Sequence, residues 1–350
     1  MNNLLRSLLK IQNKTRKKPN QSVSGFTMIE LMVGAILAFL IITPLMGFVV
    51  SILEDDTREG LKAITDQEVN SAVDYMAEDL NQARYIYDRE GLTAIADQLP
   101  AVDDGTPILV FWKRKLVKDA VPIRAKNVET PSQCDIDEVL DCNDTYLDAL
   151  VAYYLVEPTS NDTEGVWCNP DSNSDKCPAR IVRVEIQDGL KNSDGEYYEE
   201  NELHEDRKSE QKKTQGFNAL EGSPLEWTKA DEDYEMRNLP QVLVNYIDRS
   251  QVDLPGDDND EYCVNAFGGE VTSVADPNVT KEDDVLKIKT DTNSFVACVD
   301  SERNIAQILL RGNALRRKDA NAEYNANKTS FFPTATVKVQ GQSSAIKTGN

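Results

Sequence analysis

One histidine, His204, stands among 350 residues, and no two cysteines are spaced as CxxC. A single imidazole leaves little from which to build a Ser-His-Asp or Cys-His site, and no G-x-S-x-G segment surrounds a serine. Without CxxC, zinc and thioredoxin-like chemistry are not expected. Enzymatic turnover is therefore not expected either. Basic residues are also scarce: 38 Lys and Arg stand against 60 Asp and Glu, for a net charge of −22. Phosphate contacts need clustered cations, so the acidic balance argues against a nucleic-acid partner. The chain shows no internal repeat, no long low-complexity tract and no second long apolar run.

What is present begins at the N-terminus. Residues 1–25 hold Arg6, Lys10, Lys14, Arg16, Lys17 and Lys18 and no acid, so the remainder carries −28. From Phe26 to Leu53, 21 of 28 residues are apolar, and Glu54, Asp55 and Asp56 follow. A helix of that length reaches about 42 Å, more than the roughly 30 Å hydrocarbon layer. The basic flank puts residues 1–25 in the cytoplasm and the rest outside. A secretory signal has a shorter apolar core followed by a small-residue cleavage site. Here the small residues Ser22, Ser24 and Gly25 precede the run instead. Glu30 stands inside the run, where a lipid-centred charge costs about 2.5–3.5 kcal/mol. A plain membrane anchor is expected to gain nothing from it.

The segment Gly25-Phe26-Thr27-Met28-Ile29-Glu30-Leu31-Met32-Val33-Gly34 resembles the processing and assembly motif of type IV prepilins and type II secretion pseudopilins. The resemblance implies that a membrane aspartyl peptidase cuts between Gly25 and Phe26 and methylates the new N-terminus of Phe26. It implies further that Glu30 offsets the cationic N-terminus of a neighbouring subunit during filament assembly. An unpaired carboxylate in lipid is costly, and a partner charge arriving on assembly relieves that cost.

After the span, Leu61, Ile64, Val69, Ala72, Val73, Met76, Leu80, Ala83 and Ile86 recur mostly at gaps of three or four among polar residues. This spacing predicts a one-faced amphipathic helix over 54–90, stopped by Gly91. Pro44 removes one backbone hydrogen bond and is expected to kink the membrane half. Strands are predicted at Pro107–Trp112, Leu150–Val156, Arg180–Ile186, Val242–Ile247, Leu286–Lys289, Phe295–Val299 and Thr336–Val339. Ile305–Leu315 reads equally as strand or short helix. The expected fold is α+β and pilin-like: a long N-terminal helix, membrane half plus amphipathic half, packed on an antiparallel sheet in a head spanning 91–350. Dense charge between Asp188 and Pro240 predicts a solvated hairpin or mobile insertion, because too little apolar area is available to offset ordering entropy. A docking arm for a cationic partner is the sharper alternative for that stretch.

A second resemblance is carried by residues 67–86 (QEVNSAVDYMAEDLNQARYI), by Pro107-Ile-Leu-Val-Phe-Trp-Lys113 and by Ile308-Leu-Leu-Arg-Gly-Asn-Ala314. These segments look like the large pseudopilins of cyanobacterial hormogonium polysaccharide secretion, which implies a role in polysaccharide export during gliding.

All six cysteines, Cys134, Cys142, Cys168, Cys177, Cys263 and Cys298, lie in the predicted head. Their even number in an oxidising compartment favours disulfides, and proximity suggests Cys134–Cys142, Cys168–Cys177 and Cys263–Cys298. Two acidic stretches are calcium candidates: Asp171, Asn173 and Asp175, and Asp257, Asp258 and Asp260. The first has alternate oxygen ligands but Lys176 where an EF-hand has glycine; the second lacks ligand periodicity. Solvated loops are the plainer reading of both, and no other cofactor is expected.

The expectation is a pseudopilin of the cytoplasmic membrane, spanning once, with its N-terminus cytoplasmic and its head periplasmic or, after assembly, at the cell surface. Its expected partners are other pilins or pseudopilins, the prepilin peptidase, an assembly platform driven by a cytoplasmic ATPase, the lipid bilayer and the exported polysaccharide. The alternative is a minor pilin acting as an adhesin, with Tyr85 and Tyr87, Tyr153 and Tyr154, or Tyr197 and Tyr198 as stacking faces for a glycan.

Overall fold

The computed structural model describes residues 25–122, 142–158, 167–168, 177–192, 194–198, 211–234, 240–254, 262–268, 287–290 and 292–342. Residues 1–24 of the basic leader, His204, Cys134, the side chain of Cys142 and both calcium candidates lie outside the described residues. Two compact units divide the chain, the first ending at Thr57 and the second starting at Arg58.

The first unit contains the N-terminal part of α1, a helix that runs from Met28 to Asn81. Every residue from Gly25 to Gly60 is exposed. Pro44 lies inside the helix without ending it, and Thr43 Oγ1 donates to the Phe39 carbonyl one turn back at 2.8 Å.

Within the second unit, the remainder of α1 buries Thr65, Val69, Ala72, Val73, Met76, Asp79 and Leu80. Gaps of four, three, one, three, three and one place these on one helical face. Ile64, expected on that face, is 48% exposed, and Thr65 is buried in its place. The step from Leu61 to Thr65 to Val69 keeps the 3.6-residue period, whereas Ile64 falls about 100° off it.

The amphipathic helix ends at Asn81, short of the expected 90. Gln82 N closes a turn on the Asp79 carbonyl at 3.1 Å, and Ala83–Ile86 forms β1. Ala83 and Ile86 satisfied a helical period by coincidence, because a three-residue gap also suits a short strand interrupted by an irregularity. That irregularity is present: Ala83 pairs Lys113, yet Tyr85 pairs Trp112. Gly91 does not stop a helix but lies inside α2, Arg89–Ile95, whose N-cap Asp88 accepts from Gly91 N at 2.9 Å.

The other strands among the described residues are antiparallel: β2 (Gly105–Pro122), β3 (Cys142–Val156), β4 (Ala179–Gln187), β5 (Gln241–Ile247), β6 (Lys287–Lys289), β7 (Phe295–Asp300), β8 (Ile305–Arg311) and β9 (Thr334–Gln340), with a short helix α3 (Tyr262–Ala266) before β6. They make two sheets rather than one, five strands β1–β5 and four strands β6–β9, each in chain order. The molecule is α+β. The ambiguous segment 305–315 resolves into both readings: β8 to Arg311, then a 3₁₀ turn, Ala314–Arg317.

β8 joins the two sheets at both ends. Before it, Asn304 donates from Nδ2 to the Ala83 carbonyl and accepts from Ile86 N, each at 3.0 Å, so its amide occupies the free edge of β1. After it, Gly312 bridges Ile247 of β5, and Asn313 N donates to the Tyr246 carbonyl at 2.8 Å. Both edge strands of the first sheet are thereby partly covered, which protects otherwise unpaired backbone groups.

The charged stretch 188–240 is not wholly solvated. Its described parts place Phe217 (0% exposed) and Trp227 (4%) against Trp112, with ring centroids 5.8 and 5.5 Å from the Trp112 ring. Trp112 Nε1 donates to Tyr87 Oη at 2.8 Å, and Tyr87 Oη donates to the Pro224 carbonyl at 2.8 Å. Two aromatics thus anchor a segment whose average composition argues for solvent, since each buries enough apolar surface to offset local ordering.

Two expected disulfides are formed, Cys168–Cys177 and Cys263–Cys298. In the chain-entropy relation, closing loops of nine and 35 residues stabilises the fold by about 3 and about 4 kcal/mol.

Candidate functional site

The candidate site is α1, read from its first turn upward. Thr27 is the N-cap and Glu30 the third helical residue. Glu30 N donates to Thr27 Oγ1 at 3.3 Å, while Thr27 N and Oγ1 reach Glu30 Oε2 at 3.5 and 3.4 Å. This reciprocal arrangement is a capping box, in which two orphan N–H groups of the first turn find acceptors. The expectation that a membrane anchor gains nothing from Glu30 is therefore corrected: the carboxylate helps to start the helix. Such a cap is worth about 0.5–2 kcal/mol, and a glutamine side chain could supply the same acceptor. The box accounts for an acceptor at position 30 and leaves the charge to be explained. Gly25 and Phe26 precede the helix in exposed chain without regular secondary structure, with Phe26 at 82% exposure.

Above that turn the apolar run has no cover. Met28 is 93% exposed, and an 18-residue window of α1 with mean hydropathy 2.6 has none of its residues buried. Each large side chain gains about 1.5–3 kcal/mol on leaving water. A helix of this length and composition can cross a membrane once. Gly34 and Gly47 have nothing within 4 Å of where a Cβ would stand, so neither is required by contacts inside this chain.

At the other end of α1, Asp79 enters the core among charges. Its Oδ1 accepts from Lys113 Nζ at 2.9 Å, and its Oδ2 from Arg183 Nε and Tyr153 Oη, both at 2.7 Å. Glu185 completes the group, 3.1 Å from both Lys113 Nζ and Lys115 Nζ and hydrogen-bonded to Arg183 Nη2. Burial works to raise the pKa of Asp79, but the hydrogen bond and charge of Arg183, with Lys113, outweigh it and hold that carboxyl below its ordinary value. Glu185 is likewise brought down to about 2 against its own burial, by Lys113, Arg183 and Lys115. These residues were not singled out from sequence. The signal was an acid at a core-facing helical position and a strand, Arg180–Ile186, carrying Arg183 and Glu185 between apolar neighbours.

The tyrosines considered as glycan-stacking faces are mostly internal: Tyr85, Tyr87, Tyr153 and Tyr154 are all buried. Tyr197 is exposed, but Lys191 and Lys213 sit 4.8 and 4.9 Å from its ring centre. Among the described residues no cluster of His, Cys, Asp and Glu could hold a metal ion.

Comparison of the chain with protein-family models, with curated proteins and with solved structures finds no match.

Proposed function

We propose that the chain is a pseudopilin subunit of a type IV pilus-like or type II secretion-like machine. It is cut between Gly25 and Phe26, methylated on Phe26 and packed by its N-terminal helix into a short filament that supports polysaccharide export and gliding. The role is mechanical: a cytoplasmic ATPase drives an assembly platform that extracts the subunit from the cytoplasmic membrane, and no cofactor takes part. The head stands on the periplasmic side, and a head of this size fits a minor or near-tip position.

The observation that carries this reading is α1. One helix begins at a carboxylate-bearing first turn, continues through a fully exposed apolar run and ends as an amphipathic segment packed in an antiparallel α+β core. A subunit that leaves lipid for a helical bundle needs such a surface at both stages. The capping box supplies the acceptor function of residue 30, and a neighbouring N-terminal amine gives the charge itself a partner.

The test is deletion of the gene, scored separately for surface pili and for exported polysaccharide. Loss of export with pili retained supports the dedicated secretion role; loss of pili with export retained contradicts it.

A further inference from the structure

The second unit contains a cavity of about 490 Å³ whose wall includes Arg58, Leu61, Lys318, Asp319, Glu323 and Lys328. Arg58 and Leu61 come from α1; the other four follow the 3₁₀ turn Ala314–Arg317. In a chain of 60 acids, three exposed cations line this cavity, and among the described residues none of them meets a carboxylate within ion-pair distance. Their neighbour Arg317, by contrast, is bound to Glu68 and Thr65. Several cations set around one concave surface favour an anionic ligand. The two acids on the same wall oppose a bare anion, yet they can accept hydrogen bonds from hydroxyl groups.

Position narrows the ligand further. Arg58 is five residues after Leu53, the last apolar residue of the run, so along α1 it stands about 7.5 Å beyond that end. The headgroup layer of one leaflet is roughly 5–8 Å thick. We infer that this cavity binds the headgroup of an anionic, hydroxyl-bearing phospholipid in the leaflet next to the head. Arg58, Lys318 and Lys328 take the phosphate, and Asp319 and Glu323 accept from the headgroup hydroxyls. This inference rests on the membrane-spanning reading of residues 26–53.

The experiment uses the full chain in nanodiscs of phosphatidylcholine with and without phosphatidylglycerol, followed by native mass spectrometry of the lipids retained on release. The wild type should retain phosphatidylglycerol over phosphatidylcholine. Lys318→Gln and Lys328→Gln should each lower that preference about fivefold, while Lys229→Gln, away from the cavity, should leave it unchanged. Equal retention in the cavity variants, or full displacement by inorganic phosphate, would overturn the headgroup assignment. A dimer in the native spectrum that disappears in the cavity variants would place a second copy there instead, and so overturn it too. A chain that enters the discs without lipid preference defeats this inference alone. A chain that does not enter the discs defeats the span as well.

Discussion

Asp79 Oδ2 accepts from Arg183 Nε at 2.7 Å inside the protein, with both side chains about a tenth exposed. The contact ties the amphipathic half of α1 to β4, an inner strand of the first sheet, and Lys113 of β2 ties the same carboxylate to the strand between β1 and β3. Buried charge is a poor source of net stability, because desolvation offsets most of the attraction. Its effect here is on position: an apolar face alone could slide along a sheet, whereas a carboxylate needing three donors has one place to sit.

Removing that carboxylate leaves Arg183 and Lys113 buried beside Glu185 alone. Asp79→Ala should therefore destabilise the head by about 3–5 kcal/mol, read as a fall in the denaturant midpoint of the purified protein in detergent. Asp74→Ala, exposed on the same helix, should stay within about 0.5 kcal/mol of wild type. Equal effects from the two variants would refute the positional role.

Acid should act on the same cluster. Asp79 and Glu185 both have lowered pKa values, Glu185 about 2 against 4.5. A carboxyl lowered by folding contributes stability that is complete above its unfolded pKa and is lost as pH falls through the folded one. The contribution of Glu185 is thus whole above about pH 4.5 and declines toward about pH 2, by up to about 1.4 kcal/mol per pH unit. Melting temperature measured across that window should fall less steeply for Glu185→Gln than for wild type. Parallel slopes would remove Glu185 from the account.

Gly312, where β8 leaves its sheet to bridge β5, is held by a close approach to α1. A Cβ there would stand 2.8 Å from Val69 Cγ2 and 2.9 Å from Thr65 Cγ2, both on β-branched side chains that turn only at high cost. Gly312→Ala should destabilise by about 1–3 kcal/mol. Gly60→Ala, exposed in mid-helix with nothing within 4 Å, should act in the opposite direction, stabilising by up to about 1 kcal/mol. Thermal unfolding of both variants checks the sign of each.

The capping box allows the two roles of Glu30 to be separated. Glu30→Gln keeps an acceptor for the first turn and discards the charge, whereas Glu30→Val discards both. If the charge meets a neighbouring N-terminus, both variants should be processed normally and both should lose at least about 90% of filament yield, an effect of about 1.4 kcal/mol or more. Filament yield retained by Glu30→Gln and lost by Glu30→Val would reduce the residue to a helix cap.

Much of the architecture was legible because it rests on periodicity. The apolar run and the spacing of Val69, Ala72, Val73, Met76 and Leu80 mark α1, and β-branched runs mark seven of the nine strands, with an eighth left open between strand and helix. What periodicity could not give was the end of α1, since Ala83 and Ile86 fit a helical gap while their backbone pairs with β2. Nor could it give the division into two sheets or their junctions, one of which is a side chain, Asn304, bonding across 221 residues of sequence to Ala83. The insertion was misread by its average: Phe217 and Trp227 outweigh a charged surrounding because burial is decided residue by residue. The cluster at Asp79 needed the sheet register before its partners could be named.

The central claim is that a peptidase removes residues 1–25 and methylates Phe26. Intact-mass analysis of the native protein, purified from cells with a working processing enzyme, tests it most directly. The account predicts a chain that begins at Phe26 and carries one additional methyl group. A full-length, unmethylated chain as the only species would contradict it.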